Sequence, residues 1–210
     1  MNIAIVDYQM NNIRSVQKAF ESLGVHPEIV TTPEALGEFD RIVIPGVGAF
    51  GQAMARLEEI GMAEAIRQAA ASGKQILGIC LGMQLLFDAS EEFGSHRGLG
   101  LLSGTCRRLP DSVRIPHVGW NLVEIVRPAE LLEGVETSQY FYFVHSYCAE
   151  PNQTELVLAT TEYGSTFPSI VGGGNVWGAQ FHPEKSQKWG LRILANFARL
   201  NGCDGNPSRH

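Results

Sequence analysis

Three short runs of consecutive apolar residues, ending at Val6, Ile44 and Ile79, each break off at a turn and lead into a segment of helical periodicity. A strand that is apolar on every residue needs cover on both faces, and a strand-helix-strand rhythm supplies that cover. The chain is therefore expected to be an α/β protein with a doubly wound, mostly parallel central sheet flanked by helices. Asn2 to Val6 reads as the first strand; Ile13, Val16, Phe20 and Leu23 follow at helical spacing, and Gly24 stops the helix. Further strands are expected at Ile29 to Thr31, Arg41 to Ile44 and Gln75 to Ile79. The Ala-rich stretch Gln52 to Ser72, broken near Gly61, reads as one or two helices, and Leu81 to Ala89 as a helix that starts directly behind Cys80.

Beyond Gly98 the pattern changes to short β-like pieces: Val113 to Ile115, Leu122 to Ile125, Tyr140 to Val144, Leu156 to Thr161, Ser169 to Val171 and Val176 to Gln180. Gly172-Gly173-Gly174-Asn175 between the last two is a hairpin signal. An antiparallel portion added to the same sheet system is expected. An amphipathic helix, Gly190 to Leu200, closes a single domain over residues 1–200, and residues 201–210 read as a frayed tail.

Sixteen Lys and Arg against 22 Asp and Glu leave a net charge of −6, which argues against binding nucleic acid through its backbone phosphates and favours a small or neutral substrate. The longest nearly apolar stretch, Ile76 to Met83, falls far short of the ~20 residues that span a bilayer. No basic residues precede the apolar run Ile3 to Val6, so neither a membrane segment nor a signal peptide is expected. Cys80, Cys106, Cys148 and Cys203 lack paired spacing, which fits reduced thiols in a cytoplasmic protein.

Gly78-Ile79-Cys80-Leu81-Gly82 lies between a buried strand and a helix and matches a nucleophile elbow with Cys in place of Ser. Small residues two positions either side suit a tight turn with a strained nucleophile backbone. A helix that starts at once favours thiolate, and the N–H of Leu81 is available to an oxyanion. Taken alone, the motif is equally a small buried Cys in a Gly-rich turn. His182-Pro183-Glu184 shifts that balance. Pro183 biases His182 toward an extended conformation, in which residues i and i+2 share a face, so Glu184 is placed to orient the imidazole as in a triad. Cys80 and His182 both follow strands, and open α/β sheets hold their sites at that carboxyl edge.

Two other motifs compete for a function. Gly46-Val47-Gly48-Ala49-Phe50-Gly51 spells a dinucleotide fingerprint, yet Pro45 interrupts the passage from strand to loop and the next strand ends at Cys80 with no acid to hold a ribose. Its expected use is a loop whose N–H groups complete an oxyanion hole with Leu81. His182-x-Glu184 also opens a zinc-deaminase signature, but only Cys203 follows, so no metal is expected. His145, among the aromatic residues of Phe141 to Tyr147, reads on its own as a core histidine, and His26, His96, His117 and His210 carry no signal by themselves.

Pro45-Gly46-Val47-Gly48, Gly78 to Gln84 and Gln180-Phe181-His182-Pro183-Glu184-Lys185-Ser186 together resemble the class I (triad) glutamine amidotransferases, a flavodoxin-like family. Pro116-His117-Val118-Gly119-Trp120-Asn121 and Phe143-Val144-His145-Ser146-Tyr147 narrow the resemblance to glutaminase subunits of the histidine pathway. The resemblance, which runs from Asn2 to about Leu200, implies Cys80 as nucleophile, His182 as base and acid, and Glu184 as its orienter. It implies that Val47, Gly48 and Leu81 frame the oxyanion, with Gly46 beside them in the substrate site. Gln84, Glu92, His145, Ser146 and Tyr147 would line a pocket for L-glutamine, and Asn12, Trp120, Tyr142 and Lys185 would face a partner. That partner is implied to be a barrel-shaped cyclase subunit, joined as a heterodimer. It would receive ammonia through a shielded passage and convert a phosphoribulosyl-formimino ribonucleotide to imidazole glycerol phosphate and an aminoimidazole carboxamide ribotide. No cofactor is implied. The rival readings are a glutaminase subunit of an anthranilate or aminodeoxychorismate synthase and a stand-alone Cys-His hydrolase. One departure stands out: Asp7-Tyr8-Gln9-Met10-Asn11-Asn12 lacks the two glycines usual in the family, and Gln tolerates positive φ poorly.

Overall fold

Ile3 and Ile5 pack on one side of the first strand and Ala4 and Val6 on the other, and the same alternation at Val43 and Ile42, then at Leu77 and Ile76, divides the interior into two cores. This computed structural model describes residues 2–9 and 12–200, so Asn11, Cys203, His210 and the expected tail lie outside the described residues. The first half runs β1 (Ile3–Val6), α1 (Ile13–Glu21), β2 (Glu28–Val30), β3 (Arg41–Gly46), α2 (Phe50–Glu59), α3 (Met62–Ala71), β4 (Gln75–Cys80) and α4 (Leu81–Leu85). The second half runs β5 (Phe87–Ser90), β6 (His96–Arg97), β7 (Leu102–Arg108), β8 (His117–Ile125), β9 (Ser138–His145), β10 (Tyr147–Pro151), β11 (Val157–Glu162), β12 (Thr166–Gly173), β13 (Val176–Ala179) and α5 (Gln187–Arg199).

Among the described residues nine strands form one sheet in the order β2-β1-β3-β4-β13-β12-β11-β8-β9. β2 through β13 are parallel, and the remaining strands add the antiparallel portion. Helices α2 and α3 bury Ala53, Leu57, Ala63 and Ile66 on one face of the sheet; α1 and α5 bury Val16, Phe20, Ile193 and Phe197 on the other. β12 and β13 are joined across Gly174-Asn175, as the glycine run indicates. The sheet curls, so that its far edge returns over the parallel half: the His182 amide donates to the Tyr142 carbonyl of β9 at 2.9 Å.

Four expectations change. The helix behind Cys80 is five residues long rather than nine, because the carbonyls of Leu85 and Leu86 accept from Leu99, Leu101 and Leu102 and Phe87–Ser90 becomes a strand. β5, β6, β7 and β10 form a second sheet, ordered β10-β7-β5-β6, instead of extending the first. Val113 to Ile115 is not a strand; extended pairing begins at His117. Pro45 does not end its strand, since β3 continues to Gly46, paired with Cys80. β1 pairs with β3 only as far as Val43, and the Pro45 carbonyl accepts from the Tyr8 hydroxyl at 2.6 Å. A residue's N–H and C=O point the same way in a strand, so the missing donor of Pro45 faces a side where no ladder bond is required.

Candidate active site

Cys80 joins β4 to α4 at φ 55° and ψ −110°, a conformation that costs a non-glycine residue on the order of 1–3 kcal/mol. The flanking glycines are set by contact distances. A Cβ on Gly82 would lie 1.8 Å from the Ile44 carbonyl oxygen, and one on Gly78 would lie 2.5 Å from the carbonyl oxygen of Gly82. Tyr8 supports the turn from below, its hydroxyl on Pro45 and within 2.6 Å of where a Cβ of Gly46 would stand. Burial, reinforced by the charge of the Cys80 sulfur, pushes the Tyr8 phenol far above its ordinary pKa, so it stays a donor. Nothing in the sequence around Tyr8 marks this role.

β13 runs parallel to β4, with Ala179 opposite Ile79, and so delivers His182 to the edge where Cys80 emerges. His182 is extended, as Pro183 requires, but Pro183–Lys185 forms a 3₁₀ turn rather than a continuing strand. That turn brings Glu184 Oε1 to 2.8 Å from His182 Nδ1. Ser186 fixes the segment: its hydroxyl donates to the His182 carbonyl at 2.7 Å and accepts from the Tyr142 amide at 3.0 Å. Burial alone would lower the pKa of His182, but hydrogen bonding to Cys80 and to Glu184 outweighs it and pushes the value up to about 10. Burial works against ionisation of Glu184 too, and the bonds from His182 and Asn12 overcome it, holding the carboxyl below its ordinary range. Cys80 Sγ is buried, bonded to the Val144 carbonyl at 3.5 Å and approached by Gln180 Nε2 at 3.9 Å.

These residues open on a pocket of about 250 Å³ lined by Val47, Gly48, Cys80, Leu81, Gln84, Glu92, His145, Ser146, Tyr147 and His182, together with Pro116, Val144 and Lys185. Gly46, expected on this wall, lies behind it in β3 against Leu81. Gly48, at φ 105°, forms the rim. Glu92 caps the start of α2, accepting from the Phe50 amide at 2.6 Å. Asn12, expected to face a partner, turns its amide onto Glu184 at 2.6 Å. His145 borders the pocket with both ring nitrogens engaged, one by His117 at 2.9 Å and the other by the Tyr147 carbonyl at 3.0 Å. Gln9 is held at φ 68° in the loop where the family glycines are missing.

Trp120 and Tyr142 pair across β8 and β9 with ring centroids 6.1 Å apart, and Lys185 Nζ lies 5.9 Å from the Tyr142 ring, linking an exposed face to the pocket wall. Val118, Tyr140 and Val144 extend that exposed face. Among the described residues no group of three or more His, Cys, Asp or Glu side chains is arranged to hold a metal ion, and no helix is long and apolar enough to cross a membrane.

The profile of the family described as glutamine amidotransferase class-I matches residues 4–200. The chain is 49% identical over 208 residues to imidazole glycerol phosphate synthase subunit HisH of Desulfitobacterium hafniense (strain DSM 10664 / DCB-2), covering 99% of each chain. It is also 49% identical to the subunit of the same name from Aquifex aeolicus (strain VF5), over 95% of this chain and 97% of that one. Among solved structures, one described as PurLQS from Thermotoga maritima superposes with a TM-score of 0.76 at 22% identity, over 94% of this chain and 97% of that one. A second, described as a glutamine amidotransferase, gives 0.74 at 22% identity over 92% and 96%. At that identity the structural likeness speaks to the fold alone.

Proposed function

Because the chain belongs to the class I glutamine amidotransferases, within the group of HisH subunits of imidazole glycerol phosphate synthase, we propose that Cys80, His182 and Glu184 carry its glutaminase chemistry. The chain is a glutamine amidotransferase subunit acting in histidine biosynthesis. The Cys80 thiolate attacks the side-chain amide carbon of L-glutamine, and the amide oxygen takes up the negative charge beside Val47, Gly48 and Leu81. His182, charged and oriented by Glu184, gives its proton to the departing nitrogen, and ammonia leaves a glutamyl thioester. Water then gives a proton to His182 and attacks the thioester carbon, releasing glutamate and restoring the thiolate. The observation that carries this reading is the strained Cys80 backbone at the pocket floor, facing a His182 already bonded to Glu184.

The ammonia passes to a cyclase subunit. Support comes from the exposed apolar face of Val118, Trp120, Tyr140 and Val144, which borders the pocket through Tyr142 and Lys185. A dry passage is needed because protonation in bulk water removes the nitrogen lone pair. Cys80, Cys106 and Cys148 are unpaired, which fits a reducing cytoplasm. The experiment is Cys80→Ala in the assembled complex: glutamine-dependent synthesis should vanish while synthesis from ammonium salts persists. Persistent glutamine turnover by Cys80→Ala would refute the assignment.

A further inference from the structure

Asn121 on β8 has an amide whose orientation is forced. Its Oδ1 accepts from the Leu122 amide at 2.8 Å and its Nδ2 donates to the Glu162 carbonyl at 3.0 Å. The remaining Nδ2 hydrogen meets His117 Nε2 at 3.3 Å, so that ring nitrogen accepts. His117 Nδ1 therefore carries a proton and donates to His145 Nε2 at 2.9 Å; His145 Nδ1 in turn donates to the Tyr147 carbonyl at 3.0 Å. Gln84 Nε2 gives that carbonyl a second hydrogen bond at 2.7 Å and its other hydrogen to Gln180 Oε1 at 3.1 Å. Gln180 Nε2 then faces Cys80 Sγ at 3.9 Å. Every link admits one direction only.

We propose that Asn121 and His117, which stand outside the pocket, are positioning residues for glutamine hydrolysis: they hold His145 in the tautomer that anchors the Tyr147 carbonyl, the acceptor on which Gln84 is oriented and, through Gln84, the Gln180 N–H facing the Cys80 sulfur. The proposal rests on the glutaminase reading of that pocket. Both hydrogens of Gln84 Nε2 are spent on protein acceptors, so the amide offers the pocket an acceptor, matched to the N–H donors of an amino-acid amide. A donor aimed at sulfur stabilises thiolate over thiol. Both imidazoles are neutral in this arrangement, and burial supports it by pushing His117 down to about 4 and His145 to about 3. The titratable groups facing them are His182 on the pocket side and Tyr163, stacked on His117 at 4.0 Å. His117 and Asn121 lie on the inner side of β8, while Val118 and Trp120 between them point out to the exposed face.

The test combines ring-nitrogen NMR of the full chain with glutamine kinetics of its cyclase complex. At neutral pH both His117 and His145 should carry their proton on Nδ1. His117→Phe, which keeps the ring but removes the donor, should lower kcat/KM for glutamine by about tenfold or more, the range for one unsatisfied buried group. His117→Asn, whose amide still reaches His145, should stay within about threefold. Ammonium-driven synthesis should be unchanged in both. An Nε2 proton on either wild-type ring, or equal kinetics for the Phe and Asn variants, would overturn the proposal. Should His117→Phe fail to fold, Asn121→Asp decides: it has no hydrogen for His117 Nε2, so it should move the His117 proton to Nε2 and lower kcat/KM likewise, and unchanged tautomers or kinetics would count against the proposal. A wild-type complex that made no glutamate from glutamine would defeat the glutaminase reading instead, and the ring tautomers would still report on the chain of bonds.

Discussion

Asn12 Nδ2 lies 2.6 Å from Glu184 Oε1, the same oxygen that stands 2.8 Å from His182 Nδ1. The Glu184 carboxylate is thus held between the loop after β1 and the turn after β13, two segments separated by most of the chain. Asn12 reaches it from φ 98°, the left-handed region that asparagine tolerates better than most residues.

Asn12→Ala removes a hydrogen bond to a charged group, worth about 1.5–3 kcal/mol. If that much is lost from the orientation of His182, kcat for glutamine should fall roughly ten- to a hundredfold with little change in KM. Asn12→Asp should do more damage, since it sets a second carboxylate against Glu184. Steady-state glutaminase kinetics of the assembled complex measure both, and an unaltered kcat in Asn12→Ala would mean that the bond does not serve catalysis.

Strain at Cys80 predicts that glycine fits this position better than alanine. Cys80→Gly and Cys80→Ala should both be inactive, yet Gly accepts φ 55° and ψ −110° where Ala does not. The Gly variant should be more stable than the Ala variant by about 1–2 kcal/mol in urea unfolding. Equal stabilities would show that the elbow is unstrained.

Two pH windows follow from the buried histidines. His117 and His145 have folded pKa values of about 4 and 3, below the unfolded value near 6.5, so their contribution is complete above that value and is lost as pH falls toward 4 and then 3. His182, raised to about 10, contributes fully below about 6.5 and loses its contribution as pH rises through 10. Glu184, with its pKa lowered, contributes above the ordinary carboxylate range and loses it in acid. Thermal unfolding across pH should show proton uptake on unfolding between about pH 4 and 6 and proton release between about pH 7 and 10. His117→Asn should reduce the acid uptake and leave the alkaline release in place.

Trp120 is 46% exposed although it is the largest apolar side chain on its face. Buried aromatic anchors dominate interfaces, so Trp120→Ala should weaken assembly with the cyclase by about 2 kcal/mol or more. Titration of the two subunits by calorimetry reads the change directly. Undiminished affinity would remove this face from the interface.

The parts of the site set by local chemistry were legible in the chain itself. Gly78 and Gly82 around Cys80 announce a turn too tight for side chains, and Pro183 forces His182 to be extended whatever surrounds it. Leu81 to Ala89 misled for the opposite reason. Its residues favour a helix, but Leu85 and Leu86 give their carbonyls to the distant Leu99–Leu102 segment, and those bonds end the helix early. In β7, Leu102, Gly104 and Cys106 alternate with Ser103 and Thr105, but low hydrophobicity hides this period of two in the sequence.

Apolar periodicity and the backbone restrictions of Gly and Pro act within a few residues, so the parallel α/β half, the elbow at Cys80 and the His182-Glu184 pair follow from the order of amino acids. That Asn12 holds Glu184, that Tyr8 braces Pro45, and that Asn121, His117 and His145 form one chain of hydrogen bonds emerges only in the folded molecule. Those relations depend on which strands become neighbours when the sheet curls and on which lone pairs remain once burial has removed water. A hydrogen bond between residues far apart in the chain leaves no period in the sequence, so its direction becomes readable only when both atoms have a place.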